Sequence, residues 1–259
     1  MSAPPSTPTR SEPAPSEVDR ALCRSGLWEA LALGFRPPTE ETVARLASNE
    51  GACALGEAAA VFDTAEGTSL EPVVRALAIK PPPTVEALGA AYGRLFGHTA
   101  RGEAPPYETE YGEDSLFEPQ REMSDLGAFF RAFGLRLRAD AHERPDHVAC
   151  ACEFLLVLAR KEAYALAQGD AAMRETTGHA ARLFLRDHLG RWAPAFGSRL
   201  ARLDPGGFYG ALGRLLTGFT EAECRRAGVA AGPPFLRMRS AEPDDVPMAC
   251  GPITGAPNA

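Results

Sequence analysis

The stretch "HERPDHVACACEFLLVLARKEAYALAQ" (residues 142–168) decides the fold class, because a knot of ionisable side chains stands directly against a long, mostly apolar run bounded by Pro145 and Gly169. The run keeps the three- and four-residue steps of a helix and predicts one over 145–168. Two histidines, a glutamate and an aspartate fall within its first six residues, which admits a metal site, an acid–base pair or a capped helix start. A metalloprotease helix would need His-Glu-x-x-His, with both imidazoles on one face. Here His142 and His147 are one residue too far apart and Pro145 interrupts the helix between them, so that reading fails. As a cap the stretch makes sense: Pro at the first helical position, then Asp146 facing the exposed amides. Cys150 and Cys152, two residues apart, point about 200° from each other and read as small core fillers. Glu153 and Lys161 read as solvated or interface charges.

Outward from this stretch nearly every segment keeps a helical period, punctuated by Pro or Gly, and no alternating run long enough for a strand occurs. Ser16, Thr39, Ser69 and Thr84 each stand where an N-cap belongs, followed by acidic residues. Helices are predicted over 17–34, 39–48, 52–65, 69–80, 84–97, 119–133, 145–168, 171–189, 191–203 and 205–227. The class is all-α, one globular multi-helix domain over 17–230. Residues 1–16 and 231–259, rich in Pro and small or polar residues, read as largely disordered tails.

Composition narrows the function. With 259 residues, 45% of them hydrophobic, the chain can bury a real core. Its net charge of −7 gives no global field for phosphate backbones, so nucleic acid is not an expected partner. Six scattered cysteines form no CxxC pair, and neither a signal-peptide h-region nor an 18-residue apolar run is present. A cytoplasmic chain with reduced thiols is expected. No GxSxG, Walker or GxGxxG motif occurs, and no metal or cofactor is expected.

The strongest local charge bias lies at 103–125, where Glu103, Glu108, Glu110, Glu113, Asp114, Glu118, Glu122 and Asp125 face a single cation, Arg121. A solvated loop is one reading. The same segment holds Tyr107, Tyr111, Leu116 and Phe117, a mixture of anions and apolar anchors suited to a basic, hydrophobic peptide.

"YGRLF" (92–96) matches a Y/F/W-x-x-L-F pattern and "ERPDH" (143–147) an E-x-P-D-H pattern, about fifty residues apart. With "PPYETEYG" (105–112), "DLGAFFRAFGL" (125–135) and "EFLLVLARKEA" (153–163) in order, the chain resembles the TorD/DmsD family of redox enzyme maturation chaperones. The resemblance is dense over 88–168 and extends as helical architecture over 17–230. It departs at Ala151, where the family often has glutamate, and at Val148, where leucine is common. It implies a TorD-like helical bundle in the cytoplasm that binds the twin-arginine signal peptide and the apo form of a molybdenum-cofactor oxidoreductase of the dimethyl sulfoxide reductase family. Cofactor insertion would then precede export, and the "PPYETEYG" variant points to a type II client.

By the same resemblance Glu143, Asp146 and His147 would form a recognition edge. Tyr92, Leu95 and Phe96 would support its groove, and Tyr107, Glu108 and Glu110 its acidic side. No stable membrane insertion and a monomer or weak dimer are implied. Two alternatives remain open: a helical hydrolase using His147 with Asp146 or Glu143 as acid–base pair, and a permanent assembly subunit of a reductase.

Overall fold

The computed structural model describes residues 14–97, 101–112, 118–137 and 143–239. Among them are ten α-helices and no strand beyond isolated bridges: α1 (Glu17–Gly34), α2 (Glu40–Thr42, running into a π-turn at Val43–Ala47), α3 (Asn49–Glu66), α4 (Glu71–Arg75), α5 (Val85–Phe96), α6 (Glu118–Ala132), α7 (Val148–Gln168), α8 (Ala171–Asp187), α9 (Leu189–Leu203) and α10 (Phe208–Ala227). They form a single helical domain, as the periodicity predicts. No described helix is long and apolar enough to cross a membrane.

Local chemistry sets the helix starts. Ser16 accepts from Asp19 N while Asp19 reaches back to the Ser16 amide, a reciprocal capping box. Thr84 caps α5 through Ala87 N. Ser69 does not cap α4; the Asp63 carboxylate of α3 does so from a distance, accepting from Leu70 N and from Glu71 N at 2.8 Å. A carboxylate there also opposes the positive end of the short helix.

α1 packs along α7, and α9 along α10. The second pair approaches at Gly197 and Gly213, where a Cβ on either would come within 2.5 Å of the other's carbonyl oxygen, so no larger residue fits without a shift. Trp28 and Phe62 both pack on Phe219, with ring centroids 4.5 and 5.1 Å away. At the α1–α10 contact the buried Arg24 forks onto Glu223 (2.9 and 3.0 Å) and reaches Glu162 at 2.8 Å. Burial alone would raise the Glu223 pKa, but Arg24 and Arg226 outweigh it and lower it to about 2.

Pro194 lies inside α9 and has no N–H to give the Gly190 carbonyl four residues back. That carbonyl accepts from Gly232 N at 2.8 Å. The chain after α10 therefore turns back onto α9, and at Gly232 a Cβ would sit 2.0 Å from Arg191 O. Residues 229–239 continue as an extended strap to the 108–112 loop, where Tyr111 and Met238 form an antiparallel bridge. The boundary is expected at 230, and here main-chain hydrogen bonds and a buried Arg239 hold 231–239 against the helices. The remaining tail expectations fall mainly on 1–13 and 240–259, outside the described residues.

Candidate functional site

The charged knot becomes a junction between α7 and the loop that carries the acidic segment. Glu108 N donates to Asp146 O (3.0 Å) and Val148 N to Pro106 O (2.9 Å), a short ladder around Tyr107 and His147. The Asp146 carboxylate accepts from Thr109 Oγ1 at 2.7 Å and from Arg144 Nε and Nη2 at 3.0 and 2.8 Å. Arg144 also donates to Thr109 Oγ1 and lies over the Tyr107 ring, 4.5 Å from its centroid.

α7 begins at Val148, three residues later than Pro145 suggested, and its cap is His147, whose Nδ1 accepts from Ala149 N at 3.1 Å. Accepting there leaves the proton of the neutral ring on Nε2, which is buried without a hydrogen-bond partner; Glu143 Oε2 stands 3.9 Å away. Burial, and then the charges of Arg144 and Arg36, lower the His147 pKa to about 3, so the ring is neutral at physiological pH. An Asp146–His147 acid–base pair is not formed, because Asp146 serves Thr109 and Arg144. Burial pushes the thiol of Cys150, one turn on, up to about 12.

The expected recognition residues divide by depth. Glu143, Tyr92, Tyr107 and Glu110 are partly exposed. Burial and the Glu143 charge raise the Tyr107 pKa to about 12, which keeps the phenol a hydrogen-bond donor. Leu95, Phe96, Glu108, Asp146 and His147 are buried, so in this structure they stand behind the surface and not on it. Leu95 and Phe96 face the core because α5 turns that stripe inward; Phe96 packs edge-on against Tyr92 and Tyr209. Among the described residues no group of three or more His, Cys, Asp or Glu could hold a metal ion.

The acidic segment is less solvated than its composition suggested. Glu108 pairs with His188 Nδ1 at 3.0 Å, its pKa raised by burial although His188 opposes the shift. Glu110 pairs with Arg101 at 2.6 Å, and Glu122 with Arg239 at 3.2 Å. Sequence reading missed His188, Arg191 and Arg239, which come from the α8–α9 corner, α9 and the strap. An open groove of about 840 Å³ remains between α6 and the α8–α9 corner, lined by Arg121, Glu122, Asp125, Phe129, Asp187 and Arg191 among others. Glu113, Asp114, Leu116, Phe117 and His142 lie outside the described residues.

These observations put both quoted pentapeptides on one side of the domain, beside an acidic loop. The family model described as nitrate reductase delta subunit matches residues 59–198, more than half of the chain and both motifs. The chain belongs to this family, which includes the TorD chaperones. Within it the chain is similar to the chaperone protein TorD of Photobacterium profundum, 29% identical over 139 residues, 52% of this chain and 62% of that protein. It is also similar to the selenate reductase assembly chaperone protein of Thauera selenatis, 34% identical over 125 residues, 45% of this chain and 63% of the relative. A third relative is the chlorate reductase assembly chaperone protein of Ideonella dechloratans, 37% identical over 91 residues, 35% and 43% of the two chains. The matched stretch thus spans about six tenths of the length of the TorD relatives. The family model stops before α10 and the strap.

Proposed function

We propose that the protein is a cytoplasmic maturation chaperone for a molybdenum-cofactor oxidoreductase. It holds the apo enzyme by a basic, apolar segment, the client's twin-arginine signal peptide, until the cofactor is in place. The observation that carries this reading is the junction of the two family motifs with the acidic loop. There the partly exposed Glu143, Tyr107 and Glu110 present charge and aromatic surface on a support fixed by Asp146 and His147. A peptide bearing arginines beside an apolar run matches both parts of such a surface. Two relatives named for selenate and chlorate reductase assembly favour an oxyanion reductase of the type II group as client.

The test is calorimetric titration of the chain with the signal peptide of such a reductase at low and high salt. Binding that weakens with salt yet keeps an apolar remainder is expected, because the charges are partly exposed. No binding to the peptide, with the apo reductase captured normally, would refute the signal-peptide part; capture of neither would refute the chaperone reading.

A further inference from the structure

Residues 229–239 close the acidic side of the domain as an extended strap. Three main-chain hydrogen bonds hold it: Gly232 N to Gly190 O (2.8 Å), Gly112 N to Arg237 O (3.0 Å) and Arg239 N to Glu110 O (2.9 Å). Main-chain pairing of this kind accepts almost any residue between its anchors, so identity is read by few side chains. One dominates. Arg239 is buried, donating to Thr109 O at 3.0 Å and to the two Glu122 oxygens at 3.2 and 3.3 Å.

Val229, Leu236 and Met238 are only partly buried against the core, and Phe235 is 69% exposed. Beneath the strap lies a cavity of about 270 Å³ lined by Leu236, Glu108 and Trp192. The Trp192 ring stacks on Tyr111, and its Nε1 is buried with no hydrogen-bond partner. A buried, unsatisfied indole N–H on the wall of this cavity is a donor that a carbonyl would satisfy. The segment thus has one buried side chain, Arg239, and the partly buried Val229, Leu236 and Met238, the profile of an element that opens below global stability.

We propose that the strap is the resident occupant of an exchangeable peptide groove, and that an extended basic segment of the client displaces it. A client arginine then enters the Glu122 slot and a client carbonyl meets Trp192 Nε1. This inference rests on the chaperone reading above. Its charge logic is local: the strap's own Arg239 shows that a guanidinium fits, and Glu108 and Glu110 flank the slot. Arg239 is buried while Arg237 is exposed, so an incoming peptide must offer its arginine in the register that Arg239 holds.

A tethered occupant lowers apparent peptide affinity by the fraction of molecules in which the groove is open. The test uses the full-length chain and a fluorescein-labelled synthetic peptide with two consecutive arginines followed by a leucine-rich run. Affinity is read by anisotropy and strap release by amide hydrogen exchange. Arg239→Gln is expected to tighten peptide binding about tenfold, and Glu122→Gln to weaken it in the Arg239→Gln background, where the carboxylate serves the client arginine alone. At saturation the Gly232 and Arg239 amides should lose protection while the Gly112 amide, on the groove edge, keeps it.

Equal affinity of Arg239→Gln and wild type, indifference to Glu122→Gln in the Arg239→Gln background, or strap amides that stay protected at saturation would overturn the exchange and leave the chaperone reading standing. Absence of any peptide binding would overturn both. The exchange measurement on the wild type needs no variant, so misfolding of a substituted chain cannot hide the outcome.

Discussion

Replacing Asp146 with asparagine should be costly to the fold, although the change is a single heavy atom. The carboxylate has no exposed side-chain surface and holds three short contacts, one from Thr109 Oγ1 and two from Arg144. Asparagine keeps one acceptor oxygen and turns an NH2 toward donors. Hydrogen bonds to a charged group are worth about 1.5–3 kcal/mol each, but the Arg144 side chain is 45% exposed and can turn to water, so its loss is partly recovered. The net cost is about 3 kcal/mol. For a domain of this size each kcal/mol moves Tm by about 2–4 °C, so a fall of roughly 6–12 °C is expected. Glu143→Gln, at a partly exposed carboxylate, is the control and should stay within about 2 °C. Thermal melts by circular dichroism read both. Thr109→Val combined with Asp146→Asn should cost less than the sum of the two, because each removes the same bond. An Asp146→Asn protein that melts within about 2 °C of wild type would refute the junction as a structural support.

His147 gives a pH signature. It is neutral in the fold, with its pKa lowered to about 3, whereas the unfolded chain takes up the proton near pH 6.5, so its contribution is complete above that pH and lost as pH falls toward 3. Between pH 6.5 and 5.0 wild type should lose about 2 kcal/mol relative to His147→Asn, read from urea midpoints at the two pH values. Gly197→Ala or Gly213→Ala should destabilise strongly, since a Cβ there meets backbone, while Gly178→Ala in α8, with nothing within 4 Å, should gain about 0.5–1 kcal/mol in chemical denaturation. Arg24→Met should cost about 3–5 kcal/mol by leaving Glu223 buried with a weaker partner. Arg24→Met with Glu223→Met should recover much of that loss in the same assay.

What the sequence made legible was local. Ser16 and Thr84 cap the helices they stand before, because a cap is a relation between neighbours three residues apart. Leu95 and Phe96 fall on a helical stripe, and that periodicity already allowed the core position they occupy. The partners of the buried charges were not legible. Glu108 finds His188 eighty positions away and Asp146 finds Thr109 thirty-seven away, and no spacing rule links such residues. Pro145 was a misleading local signal, since it sits in the turn ahead of His147 and not in the helix. Residues 231–239 read as tail for a physical reason: a strap held chiefly by main-chain groups needs no apolar period, so it leaves almost no trace in composition.

The proline inside α9 has a consequence for chain length. By freeing the Gly190 carbonyl it fixes the strap at Gly232, and the Glu122 slot fixes it again at Arg239. Seven residues in extended form reach about 23 Å at roughly 3.3 Å each. Adding or deleting one residue between the two pins would move Arg239 out of register with Glu122 by about one residue length, roughly 3.3 Å. The stretch from 232 to 239 is therefore a ruler whose gradations are set by a helix on one end and a carboxylate on the other.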